Sequence, residues 1–183
     1  MNLILASKSP RRIALLKELG FTFDIIPSQN PETSTKKRPA ARVSELAEQK
    51  AFDVAQKYPG AVVIGADTLV FCKGEIIGKP KDKKDALRIL NKLNGSWQSV
   101  YTGVCIMCLN EHKMLYGYDI SKCKARTLSP EQLDHLAGKH MDKAGAYAIQ
   151  GRAALWLDRM EGDYYTIMGL PLSRTVRLLT HFV

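Results

Sequence analysis

The sequence predicts an α/β fold, arranged as one domain or as two closely joined lobes. The chain has 183 residues, of which 45% are hydrophobic and 25% charged, a length and balance that suit a soluble globular protein with a sizeable core. Segments with the apolar pattern of strands alternate with segments of helical spacing. The run AVVIGADTLVF, residues 61–71, is almost continuously apolar, which is typical of a strand covered on both faces.

A strand-to-helix turn opens the chain. Apolar residues 3–6 predict a short strand. Ser9 is a candidate N-cap and Pro10 suits the first helical position, so we expect a helix from this point to about Gly20.

Two arginines follow this cap, in the sequence SKSPRR. Arg11 and Arg12 fall in the first helical turn, where unpaired N–H groups and the helix dipole already favour anions. Two explanations remain open. Either an anion binds at the turn, held by serine hydroxyls, backbone N–H groups and guanidinium groups, or both side chains point into solvent.

A second helix is expected over about residues 40–58, after a short strand at 21–28 and the polar loop 29–39. Lys50 lies seven residues after Val43, so it falls on the apolar stripe of this helix. A lysine that faces the interior needs either an anionic partner or a path by which its ammonium group reaches water. The apolar positions at helical spacing are Val43, Leu46, Ala47, Ala51, Val54, Ala55 and Tyr58.

Asp67 interrupts the apolar run of residues 61–71. A carboxylate inside such a strand costs on the order of several kcal/mol unless it is paired, hydrogen-bonded or bound to a metal. Lys50 and Lys79 are candidate partners. A structural salt bridge and a functional site both fit this pattern.

The middle of the chain predicts a hairpin turn, a helix and two long strands. Lys73-Gly74 is expected to turn the chain into a second short strand. Asp82 is a candidate N-cap for a helix that stops at Gly95. Strand patterns then fill residues 97–127, around a polar NEHK turn.

The last third begins with a capping box, in which Ser129 starts a short helix that ends at Leu136. Residues 142–151 are rich in small side chains, which permits close approach of the backbone to a ligand, although an ordinary tight loop fits equally well. We expect a hairpin around residues 161–163 and a final amphipathic helix.

The net charge of +9 suits a polyanionic partner, such as nucleotide phosphates or nucleic acid, and is also compatible with a role in solubility alone. The basic residues are dispersed along the chain, which favours a localised site over a nucleic-acid-binding stripe. The apolar stretch at the N-terminus is too short for a signal peptide, and no run approaches the length of a membrane span. We therefore expect a cytoplasmic protein.

The four cysteines, at positions 72, 105, 108 and 123, are expected to be reduced and buried. Cys105 and Cys108 match C-x-x-C, but residues three apart on a strand face opposite sides, and no second pair completes a zinc site. The four histidines are scattered and show no Ser-His-Asp pattern, so the sequence gives no support to hydrolysis by a triad.

Six motifs occur in one order along the whole chain: LASKSPRR, PETSTKKR followed by LAEQKA, GADTLV, GKP, DKAGAYAIQG and GDYYTIMGLPL. In content, order and spacing they resemble the Maf family of nucleotide pyrophosphatases. The form DKAGAYAIQG is similar to the branch of that family that acts on dTTP and UTP, rather than the branch that prefers 7-methyl-GTP.

The resemblance implies one Maf-like domain over residues 1–183. Its fold would be like that of the inosine triphosphate pyrophosphatases, with a curved mixed sheet flanked by helices and two lobes with a cleft between them. The implied reaction is hydrolysis of a nucleoside triphosphate between the α and β phosphates, with Mg²⁺ or Mn²⁺. Members of the family are often dimers, and they are thought to remove modified pyrimidine nucleotides or to restrain septum formation and cell division.

The resemblance also implies roles for four charged residues. Asp67 matches the proton acceptor that activates water, and Lys50 and Lys79 would neutralise phosphate oxygens. Glu32 matches an acidic residue of the site and is the first choice for binding the metal, with Asp67 as a second ligand.

Five further positions match residues that hold the substrate. Ser7, Arg11 and Arg12 would bind phosphate. Arg11, Thr68 and Gln150 match positions linked to substrate choice, and the amide of a glutamine suits the imide edge of uracil or thymine.

Two other functions compete with pyrimidine nucleotide hydrolysis. The first keeps the fold and the reaction but assigns non-canonical purine triphosphates such as ITP. The second is a basic nucleic-acid-binding regulator that only senses a nucleotide. Such a regulator would not need Asp67, and the chain has no basic patch with interleaved aromatic residues.

Overall fold

The computed structural model describes residues 2–141, 143–147 and 156–182. Within these ranges no helix is both long enough and apolar enough to cross a membrane. The strands are β1 (Leu3–Leu5), β2 (Asp24–Ile25), β3 (Val62–Cys72), β4 (Glu75–Ile77), β5 (Trp97–Cys108), β6 (Lys113–Ala125) and β7 (Leu157–Glu161). The helices are α1 (Pro10–Glu18), α2 (Pro39–Ala55), α3 (Lys83–Leu93), α4 (Pro130–Leu136), α5 (Tyr164–Met168) and α6 (Leu172–Leu179), with 3-10 turns at Ala144–Ala146 and Thr180–Phe182.

The strands form one mixed sheet in the order β2-β1-β3-β5-β6-β7, and β4 pairs with β3. Strand β1 runs parallel to both β2 and β3. Strand β4 is antiparallel to β3, and β7 is antiparallel to β6. The expected mixed sheet flanked by helices is therefore confirmed.

The chain divides into two compact units. The first comprises Met1–Thr68, Thr102–Asp119 and Tyr165–Val183, and the second comprises Leu69–Tyr101 and Ile120–Tyr164. Strands β3, β5 and β6 each contribute residues to both units.

In the first unit, helix α2 packs on one face of β1 and β3. Ile4 and Ala6 of the β1 segment share a buried cluster with Val63 and with the apolar stripe of α2. Parallel strands are joined by right-handed crossovers, and the chain moves from β1 to β2 and then back past β1 to β3. Two right-handed connections in opposite directions place α1 and α2 on opposite faces of this sheet. Strand β1 therefore ends beside β3 at a switch point, the usual position of a ligand site in such sheets.

Two glycines allow α2 to lie very close to the sheet. A Cβ added at Gly65 would be 2.2 Å from the carbonyl oxygen of Ala47, and one added at Gly103 would be 2.5 Å from that of Val43. Both distances are far below van der Waals contact, so no larger residue fits at either position unless the helix moves. The residues at these two strand positions therefore set how closely α2 packs on the sheet. They also set how far from the sheet the side chains of α2 lie.

Most of the helix boundaries expected from the sequence are confirmed, whereas the strand expected at residues 21–28 is limited to Asp24–Ile25. Helix α1 begins at Pro10 after Ser9 in extended conformation, although the Ser9 side chain makes no capping hydrogen bond. Asp82 caps α3 by accepting a hydrogen bond from Asp85 N–H, and α4 has the expected capping box. Helix α2 ends earlier than expected, and Tyr58, which was expected on its buried stripe, lies beyond the helix with 42% of its surface exposed.

The hairpin expected around residues 161–163 is wrong, because a helix follows strand β7 instead of a second strand. The Ser121 hydroxyl accepts a hydrogen bond from Asp163 N–H at 2.9 Å and donates one to the Asp163 carbonyl at 2.8 Å. The Ser121 side chain thus takes up the N–H and the carbonyl of Asp163, the two backbone groups that would otherwise have continued the β-ladder. The chain then forms α5, which ends at Met168 and is followed by Gly169 in the left-handed region with φ +106°.

All four cysteines are buried and none is in a disulfide, as expected from the sequence. Burial raises the pKa of the Cys105 thiol to about 12. Burial also raises the pKa of the Cys123 thiol, to about 11, against the opposing effect of a hydrogen bond with Tyr147. These thiols therefore hold their protons throughout the neutral range.

We predict that Gly65→Ala lowers the free energy of unfolding by about 3 kcal/mol, because the added methyl group overlaps the backbone of α2. Urea denaturation measures the change. Gly78→Ala is the matched control, since nothing lies within 4 Å of its added Cβ and its φ is not left-handed. Equal stability of the two variants would contradict the close approach of α2.

We also predict that Cys105 and Cys123 of the native protein resist alkylation by iodoacetamide at pH 8. Their raised pKa values leave almost no thiolate at that pH, and burial excludes the reagent. Mass spectrometry of digests counts the labels, and protein unfolded in urea is the positive control. Rapid labelling of either residue in the native protein would contradict the packing described here.

Candidate active site

The candidate site lies where β1 ends and β3 passes beside it in the first unit. Ser7 lies two residues after the end of β1, and Asp67 and Thr68 are consecutive residues of β3. Consecutive strand residues project to opposite faces of a sheet. Asp67 therefore projects towards α2, on the same side as Val63 and Gly65, while Thr68 projects to the side of α1.

Lys50 of α2 joins two carboxylates. Its ammonium nitrogen lies 2.6 Å from Asp67 Oδ1 and 3.0 Å from Glu32 Oε1. The side chains of Lys50 and Asp67 are only 12% and 10% exposed, whereas that of Glu32 is 47% exposed. The sequence-based pairing of an interior lysine with the strand carboxylate is confirmed, and the cluster as a whole carries one excess negative charge.

The loop that carries Glu32 is attached to α2 by a row of polar side chains that the sequence analysis did not identify. Glu45, Gln49 and Asp53 are four residues apart and so lie along one side of the helix. The hydrogen bond from Gln29 N–H, more than any other contact, lowers the pKa of Asp53. In the loop, the Ser34 hydroxyl donates a hydrogen bond to Glu45, and the Gln29 N–H donates one to Asp53 at 2.8 Å. The Gln49 side chain donates one to the Thr33 carbonyl at 3.3 Å. The four-residue spacing of these polar side chains, next to a polar loop in the sequence, is the signal by which they could have been identified.

Arg12 does not point into solvent, so that explanation of its position in the first helical turn is wrong. Its Nε donates to the carbonyl of Gly169 at 2.7 Å, Nη1 to Ser7 Oγ at 3.2 Å and Nη2 to Thr68 Oγ1 at 3.0 Å. Burial lowers the pKa of the Arg12 guanidinium, and the charge of Asp67 opposes this effect. An arginine remains a cation at neutral pH under these influences. That Arg12 binds a phosphate stays a prediction.

The Ser7 hydroxyl accepts two hydrogen bonds, from Ser9 N–H and from Arg12 Nη1, both at 3.2 Å. A hydroxyl group has two lone pairs and one hydrogen. With both lone pairs engaged, the buried Ser7 side chain has its hydrogen to offer to a ligand. An oxygen that can only donate in this way suits a phosphate, whose oxygens are acceptors.

Two residues near Thr68 were missed by the sequence analysis. Thr102 of β5 lies with its hydroxyl 3.0 Å from Thr68 Oγ1. Gly169 supplies the carbonyl that holds Arg12, and a Cβ there would be 3.3 Å from Thr68 Oγ1. Thr102 lies within the expected strand region 97–127, but nothing in a strand pattern indicates which hydroxyl faces which.

Three further residues were predicted for the site, Arg11, Lys79 and Gln150. Arg11 is at the start of α1 and is partly exposed. Lys79 is an exposed residue of the second unit, after strand β4. Gln150 lies outside the described residues. The roles assigned to these three residues stay predictions.

The comparison with protein families decides where the chain belongs. A family model described as "Maf-like protein" matches residues 2–182. This chain is a member of the Maf family.

Relatives of this Maf protein are similar over their full length. The dTTP/UTP pyrophosphatase of Elusimicrobium minutum is 53% identical over 182 residues, covering 100% of this chain and 99% of the relative. Proteins of the same name from Aquifex aeolicus and Bacillus pumilus are 46% and 44% identical, covering 98% and 99% of this chain and 94% and 96% of the relatives. The solved structure of the Staphylococcus aureus Ham1 protein aligns with a TM-score of 0.46 at 13% identity, over 68% of this chain and 72% of that one.

The donor set of the Maf site contains two carboxylates, those of Glu32 and Asp67. In the described part of the chain, no three Asp, Glu, His or Cys side chains are grouped as a metal cage. Glu32 and Asp67 nevertheless converge on one ammonium group and so present carboxylate oxygens to the same region. Mg²⁺ is commonly held by one or two carboxylates together with substrate phosphates and water, so these residues fit a metal that arrives with the nucleotide.

We predict that Lys50→Met lowers the free energy of unfolding by about 3 kcal/mol, because it leaves Asp67 buried without its cation. Urea denaturation at pH 7 provides the measurement. Lys57→Met is the control, since Lys57 forms a 3.4 Å pair with Asp53 and is itself 52% exposed, so a loss below about 1 kcal/mol is expected there. A loss no greater for Lys50 than for Lys57 would show that the buried pair does not stabilise the fold.

Proposed function

We propose that this chain is a nucleoside triphosphate pyrophosphatase that hydrolyses dTTP and UTP to the monophosphate and pyrophosphate. The observation that carries the proposal is the buried Asp67 held by Lys50 at the switch point of the sheet, next to Glu32. The names of the full-length relatives support the same reaction and the same pair of substrates. They also favour pyrimidine nucleotides over ITP, and an enzyme over a regulator that only senses nucleotides.

Asp67 is proposed as the general base. Lys50 donates to Oδ1, which leaves Oδ2 to accept a hydrogen bond from an attacking water. The carboxylate takes a proton from the water, the water oxygen forms a bond to the α phosphorus, and the bond from that phosphorus to the α–β bridging oxygen breaks. Pyrophosphate leaves with the electrons of that bond.

The cationic and donor groups are proposed to act on the phosphate chain. Negative charge builds on the leaving pyrophosphate, so fixed positive charges stabilise the transition state more than the ground state. Lys50, Lys79, Arg11 and Arg12 would supply that charge, and Ser7 would donate its remaining hydrogen to a phosphate oxygen.

Glu32 and Asp67 are the residues proposed to hold Mg²⁺ or Mn²⁺. Such a metal, when bound, neutralises phosphate charge and favours attack on phosphorus. The chain itself contributes two oxygen donors of hard character and a lysine that keeps them near each other. Thr68, Gln150 and Arg11 are proposed to recognise the nucleobase of the substrate and to set the preference for uracil and thymine.

The proposal extends to the setting of the enzyme. We place it in the cytoplasm, where nucleoside triphosphates are made and used, as a homodimer that removes modified pyrimidine nucleotides or restrains septum formation. These assignments follow the resemblance to the Maf family.

We predict that the purified protein, with Mg²⁺ or Mn²⁺, releases pyrophosphate from dTTP and UTP faster than from CTP, GTP or ITP. Phosphorus NMR identifies the products. In ¹⁸O-labelled water the label should enter the monophosphate, because water attacks the α phosphorus. Orthophosphate as the only product would contradict cleavage between the α and β phosphates.

We predict that Asp67→Asn lowers kcat by at least about 100-fold, since the general base is lost, while nucleotide binding remains. Asp119→Asn is the matched control. Asp119 also forms an ion pair within the first unit, with Arg174 Nε at 3.0 Å, but it lies outside the cluster, so activity should be retained. Unchanged turnover of the Asp67 variant would rule out its role as the base.

A further inference from the structure

A chain of hydroxyl groups behind Thr68 has only one consistent arrangement of hydrogens. Thr102 is fully buried, and its Oγ1 lies 2.7 Å from the carbonyl oxygen of Thr166. A carbonyl oxygen can only accept, so the one hydrogen of Thr102 points to Thr166. If it pointed elsewhere, two acceptors would face each other at 2.7 Å without water to separate them.

This arrangement determines the direction of the next hydrogen bond. Thr102 has no hydrogen left for Thr68, so Thr68 must be the donor across the 3.0 Å between the two hydroxyl oxygens. Arg12 Nη2 donates to Thr68 from the other side, also at 3.0 Å, and fills one lone pair. The hydroxyl of Thr68 then has one lone pair and no hydrogen to offer to a ligand.

We propose that Thr102 and Arg12 act as positioning residues that fix Thr68 as a hydrogen-bond acceptor, so that Thr68 selects a base with a ring N–H donor. Uracil and thymine carry this donor at N3, whereas cytosine has a bare acceptor nitrogen at the same place. A cytosine ring would set acceptor against acceptor. The proposal rests on the proposed function, because it takes a pyrimidine nucleotide as the ligand of Thr68.

Arg12 also determines the hydrogen-bonding role of Ser7, which is the opposite of that of Thr68. Arg12 Nη1 and Ser9 N–H fill both lone pairs of the Ser7 hydroxyl, which leaves a donor. Arg12 therefore faces one hydroxyl that can only donate and one that can only accept further bonds. A nucleotide needs this combination, since phosphate oxygens accept hydrogen bonds and the imide N–H of uracil or thymine donates one.

The decisive variant is Thr102→Val, which keeps the shape of the side chain but removes the acceptor for the Thr68 hydrogen. Thr68 is then able to donate to the N3 of cytosine. We expect the preference for UTP over CTP to fall at least tenfold, through tighter binding of the cytosine nucleotide as well as weaker binding of the uracil nucleotide. Calorimetry with the α,β-methylene analogues of UTP and CTP gives the affinities independently of turnover, and kcat/KM for UTP and CTP gives the corresponding kinetic ratio.

Thr175→Val is a closely matched control. Thr175 is also fully buried in the first unit, and its hydroxyl donates to the Pro171 carbonyl at 2.8 Å. In both variants the carbonyl retains a backbone donor, Thr175 N–H for Pro171 and Gly169 N–H for Thr166. The Thr175 variant should keep the wild-type ratio, and Thr102→Ser, which retains the hydroxyl, should restore it.

A modified nucleotide tests the wild-type protein directly and does not depend on the folding of a variant. The α,β-methylene analogue of UTP with a methyl group on N3 lacks the donor, and we expect it to bind at least tenfold more weakly than the unmodified analogue. Equal affinity for the two would overturn the proposal. So would an unchanged UTP to CTP ratio in Thr102→Val, or losses for both nucleotides equal to those in Thr175→Val.

The outcomes for the two proposals are distinct. If UTP and CTP are hydrolysed equally well by the wild-type protein, the acceptor role of Thr68 fails and the pyrophosphatase reaction stands. If the uracil analogue binds preferentially but UTP is not hydrolysed, the reaction fails and the acceptor role stands. If neither analogue binds, both proposals are wrong.

Discussion

A carboxylate buried in a central strand requires a cation, and much of the first unit is arranged to supply one. Asp67 lies in β3, and the ammonium group that pairs with it comes from α2 on the covering face. Lys50 reaches that depth because Gly65 and Gly103 leave no side chain between the sheet and the helix backbone. The two glycines, Lys50 and Asp67 therefore depend on one another, because the close packing of α2 on the sheet is what places the charge of Lys50 beside Asp67.

The opposite face of β3 carries a second arrangement, made of neutral hydroxyls around one guanidinium. Asp67 and Thr68 are neighbours in sequence, yet strand geometry sends one to the lysine and the other to Arg12. Strand β3 pairs in parallel with β1 just before these two residues, next to the segment that carries Ser7.

The sequence predicted those features of the site that depend on residues close together in the chain. Lys50 on an apolar stripe and Asp67 in an apolar strand were visible because each contradicts its immediate surroundings, and capping residues and glycines marked the ends of α1, α3 and α4. The partners of Arg12 were not visible, since the carbonyl of Gly169 is 157 residues away along the chain. The failed hairpin has the same origin, because the Ser121 side chain that ends the ladder is 42 residues from Asp163.

Glu32 and Lys50 share one helical support. The loop that carries Glu32 is hydrogen-bonded to Glu45, Gln49 and Asp53 of α2, the helix that also carries Lys50. The conformational entropy of that loop is lost when the protein folds, and not when a ligand arrives. A ligand that binds at these two residues therefore meets a preorganised pair of charges, and a displacement of α2 would change its affinity for both together.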